Sequence, residues 1–145
     1  KIQNFINTSN SAIFMLEEIQ DVINKRINQC PEKPTPFCAQ QLDTYMVQLN
    51  LPGGFYHFMV DPRRNLSHSG LLYLDADFRG QGLGRMLVET REAICNDLES
   101  NSIIINHTDN HSFWAHLGYR PATSNTKKTI QKLDILSINP HFKYV

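Results

Sequence analysis

The chain has 145 residues, 41% hydrophobic and 19% charged, and its 14 basic and 14 acidic residues leave no formal net charge. That length suits one domain over residues 1–145 with a real core, and the charge balance argues against nucleic acid or a membrane surface as partner. No apolar run approaches the roughly 20 residues that span a bilayer, and Cys30, Cys38 and Cys95, an odd count without CxxC spacing, read as reduced thiols of a cytoplasmic protein.

Taken in order, Ile2–Ile6 reads as a short first strand, and Thr8–Ser11 supplies N-cap residues. Leu16, Ile19, Ile23 and Ile27 then recur at three- and four-residue steps, the stripe of an amphipathic helix. Pro31, Pro34 and Pro36 end it. A second helix is expected over Leu42, Tyr45, Met46 and Leu49, stopped by Pro52-Gly53-Gly54. Phe55–Val60 and Ser67–Asp75 read as the strands of an antiparallel hairpin around the turn Asp61–Asn65. A glycine-rich loop follows, then a helix with Leu83, Leu87, Ile94 and Leu98 on one face. The β-branched run Ser102–Asn106 reads as a strand buried on both sides. Asp109 or Asn110 caps a short helix to Leu117, and Gly118 stands at its C′ position. A polar loop, Thr123–Lys128, leads to a last strand over Leu133–Ile138. Such alternation predicts one mixed sheet covered by helices.

The chemistry concentrates in Phe78-Arg79-Gly80-Gln81-Gly82-Leu83-Gly84-Arg85, between a strand and a helix. Glycines let backbone N–H groups converge on an anion, and the helix start adds partial positive charge. The stretch reads as a pyrophosphate cradle. Glycines at 80, 82 and 84 do not match the G-x-G-x-x-G dinucleotide fingerprint, and no Gly-Lys-Ser/Thr follows to make a Walker loop. A glycine turn without a ligand is the remaining alternative. His107, Asp109 and His111 alternate, but they straddle a strand-to-helix turn, and no metal site is expected from them.

Arg79-Gly80-Gln81-Gly82-Leu83-Gly84 resembles the Arg/Gln-x-x-Gly-x-Gly/Ala signature of the GNAT N-acetyltransferase superfamily. Phe113-Trp114-Ala115-His116-Leu117-Gly118-Tyr119 resembles that family's second motif, an aromatic pair followed by a Gly-aromatic step. The spacing between the two suits a helix and a strand. The resemblance implies an α+β fold in three layers, a mixed and mostly antiparallel sheet flanked by helices, with a splayed central strand pair. One departure concerns the hairpin that the family places before its central strand, of which only Phe55–Val60 is found, so that this end reads as reduced.

For function, the resemblance implies direct transfer of an acetyl group from acetyl-CoA to an amine of a protein or small molecule, without a metal. Carried over residue by residue, the amides from Gln81 through Gly82, Leu83 and Gly84 to Arg85 hold the pyrophosphate, flanked by Arg79 and Gly80. Leu74 and Ala76 present backbone groups to the pantetheine arm, and Asn110 reaches it from the other side. Many members carry a glutamate base eleven residues before the signature; here that position is His68, whose imidazole is a plausible base. Strict alternation puts His68, Gly70, Leu72 and Leu74 on one face, unless a bulge intervenes. The family's usual acid, a tyrosine, is replaced by Trp114, whose indole N–H is no acid at neutral pH. That replacement favours an alternative, a CoA-binding or sensor domain without chemistry. The acceptor amine and the oligomeric state are not written in these motifs.

Overall fold

The computed structural model describes residues 15–145; the expected strand at Ile2–Ile6 and the caps at Thr8–Ser11 lie outside them. The first helix, α1 (Leu16–Ile27), buries Ile19, Ile23 and Ile27, as its stripe requires. Glu17 and Glu18 in its first turn and Lys25 and Arg26 in its last complement the helix dipole.

Where a second helix was expected, the chain forms a hairpin of β1 (Thr35–Gln41) and β2 (Thr44–Leu51). Tyr45, Val47, Leu49 and Leu51 are buried and the residues between them are half-exposed. The period is two, and counting Met46 with Tyr45 and Leu49 imitated a helical face. Leu42, expected on that face, sits in the turn at φ 55° with 92% of its surface exposed. The segment ahead of the central strand is therefore not reduced. It contributes β1, β2 and β3 (Gly54–Asp61), each antiparallel to the next, before β4 (Leu66–Leu74).

After β4 a 3₁₀ turn (Ala76–Phe78) and the glycine loop lead into α2 (Leu83–Asp97). Then come β5 (Ser102–Ile105), α3 (His111–His116), the short β6 (Arg120–Pro121), α4 (Ser124–Lys132) and β7 (His141–Tyr144). The sheet order is β1-β2-β3-β4-β5-β7-β6, antiparallel throughout except between β4 and β5. This is the mixed sheet covered by helices that the alternation predicts, mostly antiparallel as the resemblance implies.

Two corrections fall near the C-terminus. The supposed polar loop is α4, capped by Thr123 Oγ1, which accepts the Thr126 N–H at 3.2 Å. Ile130 is the residue this helix buries, so it shows no apolar stripe. The last strand is β7 rather than Leu133–Ile138, where Ile138 makes only an isolated bridge to His107.

Helices cover both faces of the sheet. α1 and α2 pack over Tyr45, Val47, Leu49, Tyr56, Phe58 and Val60, clamped together by Arg26 donating to both oxygens of Asp97 at 2.7 Å. α4 and the segment after it pack Ile130 and Ile135 against Leu66 and Ile104. Ile104 faces this second cluster while Ile103 and Ile105 face the first, so β5 is buried on both sides.

Candidate functional site

A cleft of about 590 Å³ opens beside the second half of β4, within the ~300–1,000 Å³ range of small-molecule sites. It exists because β4 and β5 diverge. They share two parallel rungs, Leu66 with Ser102 and Ser67 with Ile103. Just beyond, Asn106 Oδ1 accepts the Ser69 N–H at 2.7 Å and Asn106 Nδ2 donates to Leu136 O at 3.1 Å. A side chain thus replaces the next rung and satisfies a backbone donor that divergence would have stranded.

At the same point β4 bulges. Ser69 lies at φ 68°, and the register with β3 slips between His57–Leu71 and Met59–His68. The bulge overturns strict alternation. His68 shares a face with Leu71 and Tyr73, because their partners Met59, His57 and Phe55 share one face of β3; Leu72, opposite buried Tyr56, points the other way. The cleft begins at Gly70, so His68 stands two residues before its wall, on the face it shares with the lining residues Leu71 and Tyr73.

Beyond the bulge the ladder geometry fixes what the open edge offers. Asp75 N–H donates to Gly53 O at 2.7 Å, so by antiparallel alternation Tyr73 and Leu71 bond to β3 as well. The N–H and C=O groups of Leu72 and Leu74 then point to the open edge. Leu74 O accepts from Arg79 Nε at 2.9 Å. Ala76 lies past the strand in the 3₁₀ turn, where its C=O accepts the Arg79 N–H at 3.3 Å.

One end of the cleft is made of main chain. Gly80 and Gly82 have φ of 75° and 79°, a region costly for other residues, and nothing approaches within 4 Å of where their Cβ atoms would be. Gly82 is the N-cap of α2 and gives no side-chain cap; the first turn closes with Met86 N–H to Gly82 O at 3.0 Å. The N–H groups of Leu83, Gly84 and Arg85 therefore have no acceptor inside the helix. All three residues line the cleft, as do Arg79, Gly80 and Gly82. Gln81 is exposed and outside that wall, its Nε2 donating to Asp77 O at 2.9 Å. Arg85 Nε pairs with Glu89 at 3.3 Å. The arginine side chains are engaged by the protein, and the amides are what the loop presents.

The facing wall is His107, Asp109, Asn110, Phe113 and Trp114. Asn110 Oδ1 caps α3 by accepting the Phe113 N–H at 3.2 Å. His107 Nε2 and Asp109 Oδ1 are 2.9 Å apart, whereas His111 turns away to His141, Nδ1 to Nε2 at 2.8 Å, so the alternating trio is not brought together. Trp114 is buried, packed edge-on against Phe113 and Tyr119 at centroid distances of 5.1 and 5.2 Å.

His68 is half-buried, and among the described residues its Nδ1 has no hydrogen-bond partner. Burial first, then the Arg91 and Arg64 charges, hold its pKa below the ordinary imidazole value, against an opposing pull from Asp61. His57 is held low by burial and Arg91 in the same way. Sequence reasoning overlooked Leu72, Asn106 and Arg91. An amide side chain closing a β-branched run was the available sign for Asn106, and a charge on the apolar stripe of α2 the sign for Arg91.

Comparison with known proteins bears on this geometry. Residues 42–121, more than half of the chain, match the family model described as an acetyltransferase (GNAT) domain. A search of curated proteins finds no match. Among solved structures, a Klebsiella pneumoniae protein assigned to the acyl-CoA N-acyltransferases is 14% identical, with 91% of this chain and 88% of that chain covered and a TM-score of 0.47. The Mycobacterium tuberculosis protein Rv2747, in complex with CoA and a second ligand, is 13% identical, with 88% and 95% covered and a TM-score of 0.49.

Proposed function

The chain belongs to the GNAT acetyltransferase family, and from that premise we propose that it moves an acetyl group from acetyl-CoA directly to an amine. The observation that carries this reading is the pairing of two main-chain surfaces on one cleft. Uncapped amides at the start of α2 suit a diphosphate, and the open edge of β4 at Leu72 and Leu74 suits a chain of amides lying alongside like an added strand. Asn110 and Phe113 bound that path opposite. Acetyl-CoA supplies an activated acyl group on a good leaving sulfur.

The protein's own residues do the rest. The β4 edge aims an N–H at the acyl oxygen, stabilising charge as it develops. An amine attacks only when neutral, and a lysine-type amine with a pKa of about 10.4 is almost wholly protonated at neutral pH. His68, neutral there because its pKa is lowered, serves as the base from the face it shares with Leu71 and Tyr73, directly or through a water. Trp114 walls the cleft and donates no proton to the departing sulfur. That absence is what favours the second reading, a domain that binds CoA without turning it over. Cytoplasmic residence and a protein or small-molecule acceptor belong to the proposal; among the described residues no helix is long and apolar enough to cross a membrane.

Calorimetry with acetyl-CoA tests the cleft, and thiol release with a panel of amines tests turnover. Binding with release supports the transferase, binding without release the sensor, and no binding sinks both. If His68→Ala kept full activity from about pH 6 to 9, the assignment of the base would fall.

A further inference from the structure

Arg91 heads the fully buried side chains by volume, with none of its surface exposed, in the middle of α2. A guanidinium stays charged inside proteins, yet among the described residues no carboxylate forms an ion pair with this one. Its hydrogen bonds go to neutral groups: Nε and Nη2 to Ser67 Oγ at 3.1 and 2.9 Å, and Nη1 to Tyr56 OH at 2.6 Å. The rings of Phe58 and Tyr56 flank it at 4.9 and 5.5 Å. Cys95 on the same helix and Tyr119 beyond α3 are also near it, and its charge reaches His57 and His68. The adjacent acid, Glu92, is held by Lys143 Nζ at 3.1 Å and by the Tyr119 hydroxyl at 2.8 Å. Asp61 is held by Arg64 at 2.6 Å.

The location of this uncompensated charge is informative. A Cβ built on Gly70 would lie 3.1 Å from Arg91 Nη1, and Gly70 is where the β4 wall of the cleft begins. Gly70, with the Ile105 side chain beside it, thus stands between the cation and the bulge end of the cleft. A buried charge acts strongly over such distances, because little solvent screens it.

We propose that Arg91 is an electrostatic positioning residue, whose fixed charge beneath Gly70 stabilises the negative charge that develops at the bulge end of the cleft during acyl transfer. The inference rests on the transferase reading. As the amine nitrogen bonds to the acyl carbon, negative charge builds on the acyl oxygen. When the carbon–sulfur bond breaks, its electron pair leaves on sulfur, and the proton lost by nitrogen passes through the base to solvent. The proposal places both charged stages on the side of the cleft nearest the guanidinium. The same field favours neutral imidazoles at His57 and His68.

The test compares wild type with Arg91→Met, which removes the charge at similar length, and Arg91→Lys, which keeps it. The sulfhydryl of bound CoA is titrated by thiolate absorbance, and His57 and His68 are titrated by NMR. In wild type the bound thiol titrates below free CoA. In Arg91→Met its midpoint returns toward the free value, the histidine midpoints rise by about half a pH unit or more, and kcat falls roughly tenfold to a hundredfold with CoA affinity little changed. Arg91→Lys keeps the lowered thiol midpoint and most of kcat, which loss of packing alone does not predict. Should Arg91→Met fail to fold, the wild-type and Arg91→Lys titrations decide: a bound thiol that titrates like free CoA in both overturns the proposal. Unmoved thiol and histidine midpoints in a folded Arg91→Met do so too. Absence of CoA binding by wild type overturns the transferase reading itself, and is seen before any variant is made.

Discussion

The two ends of the cleft are built from different materials. At the α2 end the cleft-facing groups are main-chain amides, set by two glycines in left-handed conformation and an uncapped helix start. At the bulge end the shape depends on side chains far apart in sequence: Asn106 on Ser69 N–H, Arg91 beneath Gly70, and His68 turned to the other face by one slipped register. On the proposed reading, the difference teaches that binding and chemistry are separable here. A change at one end is then expected to alter affinity, and a change at the other to alter turnover.

The sharpest way to break that division is Gly82→Val. A β-branched side chain at φ 79° costs about 2 kcal/mol, so CoA affinity falls roughly thirtyfold by calorimetry. If kcat at saturating acetyl-CoA falls as far, the ends are not independent. Asn106→Ala attacks the other end. It strands the Ser69 N–H and the Leu136 C=O, destabilising the fold by about 1–2 kcal/mol, visible as a Tm lower by roughly 3–6 °C. Turnover drops while CoA affinity, measured on the folded protein, stays near wild type.

Acid pH gives a smaller, graded effect confined to the bulge end. His57 and His68 are held below the ordinary imidazole pKa, first by burial and then by Arg91. The unfolded chain therefore binds protons that the folded chain refuses. Stability is complete above about pH 6.5 and declines as pH falls through that value toward the folded midpoints. Denaturant midpoints at about pH 5.5 and 7.5 reveal the decline, and His68→Gln reduces it. The smallest effect is expected for Gly84→Ala. A methyl there meets Phe113 at 3.4 Å and Leu72 at 3.6 Å, ordinary contacts, so stability moves by less than about 0.5 kcal/mol and CoA affinity is unchanged.

The same contrast governs how much of the molecule is legible in its sequence. The α2 end was legible, because glycine spacing, a preceding strand and a following helix are local features. Even there the strand contributes Leu72 and Leu74 rather than continuing to Ala76, since the chain leaves the sheet into a 3₁₀ turn. The bulge end was not legible. A register slip at Ser69 depends on a partner strand, and no local pattern announces it. Two errors of period had the same root. Tyr45–Leu49 carries apolar residues at both helical and strand steps, and only pairing with β1 and β3 decides between them. In α4, polar residues surround Ile130, and the helix is recognised through its Thr123 cap rather than through a stripe.

The junction between β4 and β5 carries one more consequence. Two backbone rungs and the Asn106 side chain are what join β1–β4 to β5–β7 within the sheet, and the two apolar clusters, one on each face, both run across that seam. The molecule is in effect an unfinished weave, and a cosubstrate bridging the gap would supply the missing threads. Amide hydrogen exchange in β5 and β7 should then slow when CoA is added, although those strands lie across the seam from the edge it touches; unchanged exchange there would mean the two halves are already locked without it.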